Sequence, residues 1–245
     1  MQIVPKMKMA EVIHLNYHLL PIISRFDIPL GFGEKTIEQL CSEYGIDVNF
    51  FLVILNSYHD KNYFPRKHIQ TFPLRLIIDY LRKSHNYYLK IKIPQIDELL
   101  LQLPDQAAGQ GAESLRLIGR FFDDYRQELS AHILHEEEKV YPYVFSVEEA
   151  YLSGKPSLSL VDQIKEYSID NYENEHDNVE DKLFDLQNII MKYLPLPLDT
   201  NLCHTLLIEL FRLETDLNDH ARIEDKVMVP KVRFMEKWIK DHFTG

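Results

Sequence analysis

The sequence predicts an all-α protein: an antiparallel four-helix bundle preceded by a small helical unit. Three observations carry this. Only 8 glycines are spread over 245 residues, too few for the many tight turns of a β-rich fold. Residues 74–245 hold four long stretches of helical apolar spacing joined by short connections, the pattern of a bundle. One frame occurs twice, as His132-x-x-x-Glu136 followed by Pro142 and as His220-x-x-x-Glu224 followed by Pro230. Residues four apart share one face of a helix, so each frame aims an imidazole and a carboxylate at the same point.

Residues 1–66 read as the small helical unit. Met7 to His18 places Met9, Val12, Ile13 and Tyr17 on one side, and Pro21 restarts the chain into a short helix through Phe26. A turn with two glycines follows, Ile28-Pro29-Leu30-Gly31-Phe32-Gly33. Thr36 is the expected N-cap of a helix to about Tyr44, with Gly45 at its C′ position and Asp47 capping a helix from Val48 to about Tyr58. A unit this short is expected to dock on the rest of the chain or to dimerise. His59 to Phe72 has no clear period and reads as a linker.

Residues 74–245 read as the bundle. Pro73 opens a helix from Leu74 to about Leu101 in which Pro94 predicts a kink. The second helix spans Ala112 to about Val140, and Pro142 to Ser157 is expected to be a connection. The third spans Leu158 to Tyr193 and ends at Pro195-Leu196-Pro197. The fourth, capped by Asp199 or Thr200, runs to about Met228, and a last turn or two is expected in the tail.

Composition narrows the function. A 45% hydrophobic and 27% charged chain has the balance of a folded soluble protein. No apolar run reaches the roughly 18 residues of a membrane span, and Met1 to Lys6 lacks a signal-peptide core. Two cysteines make no disulfide framework, so a reducing cytoplasm is the expected location. A net charge of −11 disfavours nucleic acid.

The bundle carries an internal pseudo-repeat. His85 precedes the His132/Glu136 frame by 47 residues, and His176 precedes the His220/Glu224 frame by 44. Each helical hairpin thus supplies two imidazoles and one carboxylate. Four histidines and two glutamates suit two metal ions, each taking two imidazoles, with Glu136 and Glu224 between them. Imidazole and carboxylate suit iron, with manganese or zinc as lesser alternatives, and the lack of paired thiolates argues against an iron–sulfur cluster. Glu128, one turn before His132, and Glu175, beside His176, are candidate acids for orienting ligands or relaying protons. Tyr88 and Tyr172 are candidates to hydrogen-bond at the site. Glu137, Glu138 and His135 are expected in solvent, His14 and His18 at the surface or a domain interface, and Cys41 as a small buried residue.

At Ser84-His85, His132-Ile133-Leu134-His135-Glu136-Glu137 with Tyr141-Pro142, Glu175-His176-Asp177, and His220-Ala221-Arg222-Ile223-Glu224 with Pro230, the chain resembles the hemerythrin-like di-iron family. It is most similar there to the Repair of Iron Centers (RIC, ScdA-type) proteins. The layout of Phe26-Asp27-Ile28, Gly31 to Gly33, and Leu40-Cys41 to Gly45-Ile46-Asp47 extends the similarity into the N-terminal unit. The resemblance implies a hemerythrin-like bundle holding two irons on His85, His132, His176 and His220, bridged by Glu136 and Glu224, with Glu128 and Glu175 as accessory acids. It also implies nitric oxide or oxygen as the small ligand, damaged iron–sulfur proteins as partners, and a role in nitrosative or oxidative stress. The family's N-terminal turn carries Cys-Cys-Gly-Gly, whereas this turn reads Pro29-Leu30-Gly31-Phe32-Gly33 and lacks the thiols that transfer through them would need. The expectation is a di-iron protein that binds or reduces a diatomic gas or donates iron. The alternative is a gas or redox sensor that signals through the N-terminal unit or a second subunit, without turnover.

Overall fold

The structure, a computed structural model, describes residues 1–103, 110–175, 179–194 and 199–243. Helices organise the described residues throughout, and none of these helices is long and apolar enough to cross a membrane.

The N-terminal segment folds as α1 (Met9–Leu15), a short 3-10 turn at Tyr17–Leu19, α2 (Leu20–Ser24), α3 (Ile37–Tyr44) and α4 (Val48–His59). Local chemistry fixes its boundaries. Thr36 and Gln39 form a reciprocal capping box at the start of α3, and Gly45, at φ 66°, closes it in the left-handed conformation. The Asp47 carboxylate accepts the Phe50 N–H at the start of α4. Between this segment and the bundle, where the sequence reads as a linker, lies one short helix, α5 (Arg66–Ile69).

Three of the four rods of the bundle share one construction. The first is α6 (Leu74–Tyr87), a π-helical turn at Tyr88–Lys92 and α7 (Ile93–Gln102). The second is α8 (Gln110–His135), a π turn at Glu136–Val140 and α9 (Tyr141–Ser153). The fourth is α13 (Thr200–Ile223), a π turn at Glu224–Met228 and α14 (Val229–Phe243). In each, the first N–H after the π turn bonds back five residues, to Tyr88, Glu136 or Glu224. The next residue is Pro94, Pro142 or Pro230. Proline has no N–H, so the hydrogen-bond ladder already lacks a bond at that point. The shift from five-back to four-back pairing is taken up at this gap.

This construction corrects three expectations. Pro94 sits at the second position of α7, beyond a π turn, rather than at a kink within one α-helix. Pro142 to Ser157 is not a connection, because α9 occupies most of it and ends at Gly154, at φ 64°. Proline is tolerated in the first helical turn, and Tyr143, Val144, Val147 and Ala150 bury the inner face of α9. For the same reason the tail is a full helix, α14, rather than a turn or two.

The third rod also departs from expectation. It is divided into α10 (Leu158–Glu166), α11 (Ile169–Glu175) and α12 (Val179–Tyr193). The break at Tyr167–Ser168 is held by specific bonds. Ser168 N–H donates to the Asn171 side chain at 3.0 Å, and Ile169 N–H donates to the buried Glu236 carboxylate of α14 at 2.8 Å.

Packing divides the interior into two apolar clusters. One gathers α7, the described part of α8, α12 and α13 around Tyr88, Phe122, Leu183 and Leu210. The other gathers α6, α9, α10 and α14 with the N-terminal helices. Phe26 packs on Phe51 with ring centroids 4.8 Å apart and stacks on Tyr80 of α6 at 5.4 Å. Beside them Arg25, buried at the end of α2, forms an ion pair with Asp216 of α13 and lies over the Tyr87 ring at 4.8 Å. Removing one partner of a buried pair leaves the other charge uncompensated. The Asp216→Asn variant should therefore lose about 3–5 kcal/mol of stability in urea unfolding. The transition should remain single, because one apolar cluster spans the N-terminal helices and the bundle.

Candidate metal centre

The two apolar clusters are separated by a polar layer, and the first, second and fourth rods cross it at their π turns. His85 lies one turn before Tyr88, while Glu136 and Glu224 are the first residues of their own π turns. An inserted residue swings the following side chains around the helix, and such turns recur at functional sites. Here they let the rods keep apolar faces inward on both sides of the layer while acidic groups fill it.

Both carboxylates are fully buried, at 0% exposure. His85, Glu136, His220 and Glu224 offer ligand atoms that all lie within 4.8 Å of one another. His85 Nε2 is 3.1 Å from Glu136 Oε2 and 3.2 Å from His220 Nε2, and His220 Nε2 is 3.5 Å from Glu224 Oε1. His132 adjoins the group from α8, with its Nε2 3.2 Å from Glu136 Oε1. A cavity of about 10 Å³ opens among these residues, walled on its apolar side by Leu129, Ile133 and Leu217. That is about the space one water-sized sphere needs.

The remaining polar groups hold the acids in place. The Tyr141 hydroxyl donates to Glu224 Oε1 at 2.9 Å, and the Tyr172 hydroxyl donates to Glu136 Oε1 at 2.6 Å. Burial, and then the carboxylate charges around them, keep both phenols protonated. His85 Nδ1 donates to Glu137 Oε1 at 2.9 Å, and Arg82 Nε holds the other Glu137 oxygen at 2.8 Å. A carboxylate behind the imidazole fixes which ring nitrogen faces the cluster. Burial opposes charge on His85, but hydrogen bonds to Glu136 and Glu137 and the nearby Glu224 outweigh it. They push its pKa up to about 9.

The structure therefore gathers His85, Glu136, His220 and Glu224, with His132 alongside. His176 lies outside the described residues, as does the side chain of Glu175, which ends α11. Glu128 is a correction. It is exposed and ion-paired with Lys182 of α12, because the α8 surface one turn before His132 has already turned toward solvent. Glu137 is the reverse correction, half-buried and bound to His85 and Arg82 rather than solvated. Tyr172 reaches Glu136, whereas the Tyr88 ring packs edge-on to His220 at 5.7 Å and its hydroxyl donates to Asp216 at 3.0 Å. Glu138, His135, His14 and His18 are exposed, and Cys41 is buried with its thiol pKa pushed up by burial to about 11.

Sequence reasoning missed the hydroxyl of Tyr141 and the His85–Glu137–Arg82 chain. A signal existed for each. Tyr141 follows Glu136 by five residues, one turn of a π segment. Arg82 sits three residues before His85 on the same helix.

The fold and its polar layer define a class: a helical bundle with a buried, histidine- and carboxylate-lined cation site. The hemerythrin HHE cation binding domain matches residues 76–232, more than half of the chain. The protein belongs to that family, whose domains bind metal cations. No curated protein matches the chain. The donor set fits such an ion. Two fully buried carboxylates face two imidazole nitrogens across 3.1–3.5 Å, and imidazole with carboxylate is a common donor set for first-row metals.

The raised pKa of His85 sets a pH dependence for the metal-free protein. A charged, partnered imidazole stabilises the fold fully below its ordinary pKa of 6.5, and that contribution is lost as pH rises through about 9. The Tm of metal-free protein should fall across that window, and the His85→Gln variant should lack that part of the slope.

Proposed function

We propose that this protein is a non-haem di-iron protein of the iron-centre repair type. On this reading it binds or reduces nitric oxide or oxygen, or donates iron, in a cytoplasm under nitrosative or oxidative stress. One observation carries the proposal: two buried glutamates meet buried imidazoles beside a cavity of about 10 Å³. His85, Glu136, His220 and Glu224, with His132 alongside and His176, would hold the ions. Bound iron would supply redox capacity and open positions for a diatomic ligand.

The chain's own groups have defined parts in this reading. Tyr141 and Tyr172 fix the carboxylate oxygens, and Glu137 orients His85. Leu129, Ile133 and Leu217 keep the cavity apolar on one side, which suits a small uncharged gas and limits water. With Pro29 and Leu30 at the N-terminal turn, and Cys41 buried, the N-terminal unit offers no exposed thiol pair for transfer chemistry.

A second reading, a sensor that binds gas without turnover, draws on one observation. Arg25 of the N-terminal segment pairs with Asp216, which also accepts from Tyr88, and the Tyr88 ring abuts His220. A change at the metal ligands would thus be felt at the contact between α2 and α13.

Anaerobic titration of iron-loaded protein with nitric oxide, followed optically and with excess reductant, separates the two. Repeated consumption of gas supports the enzyme, and a single stoichiometric spectral change supports the sensor. The Glu136→Ala and Glu224→Ala variants should lose the iron spectrum. Failure of the native protein to take up iron at all contradicts both readings.

A further inference from the structure

A second cavity, about 750 Å³, opens between the N-terminal segment, the first rod and α13. Tyr17, Leu20, Tyr58, Tyr87, Ile208 and Phe211 supply its apolar walls. Four of these, Tyr17, Leu20, Ile208 and Phe211, stand exposed. Large apolar side chains left in water along one concavity mark a binding surface, and the volume lies in the range of small-molecule sites.

The charges around it are unbalanced. Asp216 and Asp219 line the cleft, but each is already neutralised, Asp216 by the buried Arg25 and Asp219 by Arg222 at 3.3 Å. Lys92 and Arg212 also line it and share a single carboxylate, Glu209. Lys61 has no carboxylate within ion-pair distance among the described residues and acts on Asp219 only at longer range. Among the described residues, the lining thus sets Lys61, Lys92 and Arg212 against Asp216 and Asp219, whose charges are met by Arg25 and Arg222, and Glu209 is shared by Lys92 and Arg212. This surplus of positive charge is set into a chain whose net charge is −11.

We propose that this cleft binds a planar aromatic anion, a fused-ring molecule bearing a phosphate or carboxylate. Its ring would stack against Tyr17 and Phe211, with Tyr87 at the base of the cleft, and its acid group would face Lys61 and Arg212. Aromatic walls favour a flat ring, and the local cation surplus selects the negative group. The site is separate from the metal centre: Asp216 forms part of its wall, and Tyr88 stands between Asp216 and His220. The proposal therefore holds for metal-free protein and does not rest on the di-iron reading.

The test uses the full chain without metal, with flavin mononucleotide as probe and riboflavin as its counterpart lacking the phosphate. Saturable quenching of flavin fluorescence at one site per chain is expected, with riboflavin bound several-fold more weakly. Phe211→Ala and Tyr17→Ala, both at exposed positions, should each weaken both probes by about 3–10-fold, as loss of an aromatic stack does. Lys61→Glu should weaken flavin mononucleotide and leave riboflavin unchanged. A phosphate-independent affinity would overturn the charge assignment. Absence of saturable quenching would overturn the proposal, as would quenching that survives all three substitutions. So would concentration-dependent self-association abolished by Phe211→Ala, which would make the cleft a protein contact.

Discussion

Two carboxylates buried in the middle of an apolar bundle are the constraint on which the rest of this structure depends. Glu136 and Glu224 are withdrawn from water between two hydrophobic clusters, and an uncompensated charge there costs several kcal/mol. The surrounding groups offset that cost piece by piece. His85 lies against Glu136, the Tyr172 and Tyr141 hydroxyls donate to the two acids, and His132 and His220 face them from one turn earlier. A bound cation would be the largest charge in the layer and would complete the compensation. The bundle tolerates the layer because apolar packing is continuous on both sides of it.

The π turns solve the resulting geometric problem. A rod must present a ligand in the layer and still keep its apolar stripe inward beyond it, and in three of the rods one extra residue resets the phase. The prolines at 94, 142 and 230 mark where the ladder returns to α pairing. The proline that recurs six residues after Glu136 and Glu224 is thus the imprint of this reset. Tyr88 and Pro94 repeat the spacing in the first rod, with a tyrosine where the others place an acid.

Much of this was legible in the sequence because it is written in local rules. Thr36, Gly45, Asp47, Ser157 and Asp199 mark helix ends through caps that depend only on neighbouring residues. The repeated His-x-x-x-Glu frame located the polar layer. What was hidden depends on tertiary context. Prolines 142 and 230 read as breaks because the π turn that accommodates them has no signature in propensity. Whether Glu128 or Glu137 faces inward turns on a rotation of a few tens of degrees, which the packing of α8 on its neighbours decides. The pairing of Arg25 with Asp216 joins residues 191 apart, and no spacing rule reaches that far. The cleft between the N-terminal segment and α13 was invisible for the same reason, since its walls come from four separate stretches of chain.

The N-terminal helices are therefore part of the surroundings of the metal centre: a buried arginine from α2 reaches the helix that carries His220. The polar layer itself buries these acids and imidazoles together as a site for metal. Anomalous diffraction from crystals of iron-grown protein, collected on both sides of the iron absorption edge, tests it most directly. The account predicts iron peaks inside the group formed by His85, Glu136, His220 and Glu224. A well-ordered layer with no anomalous peak, or iron bound only elsewhere on the chain, would contradict it.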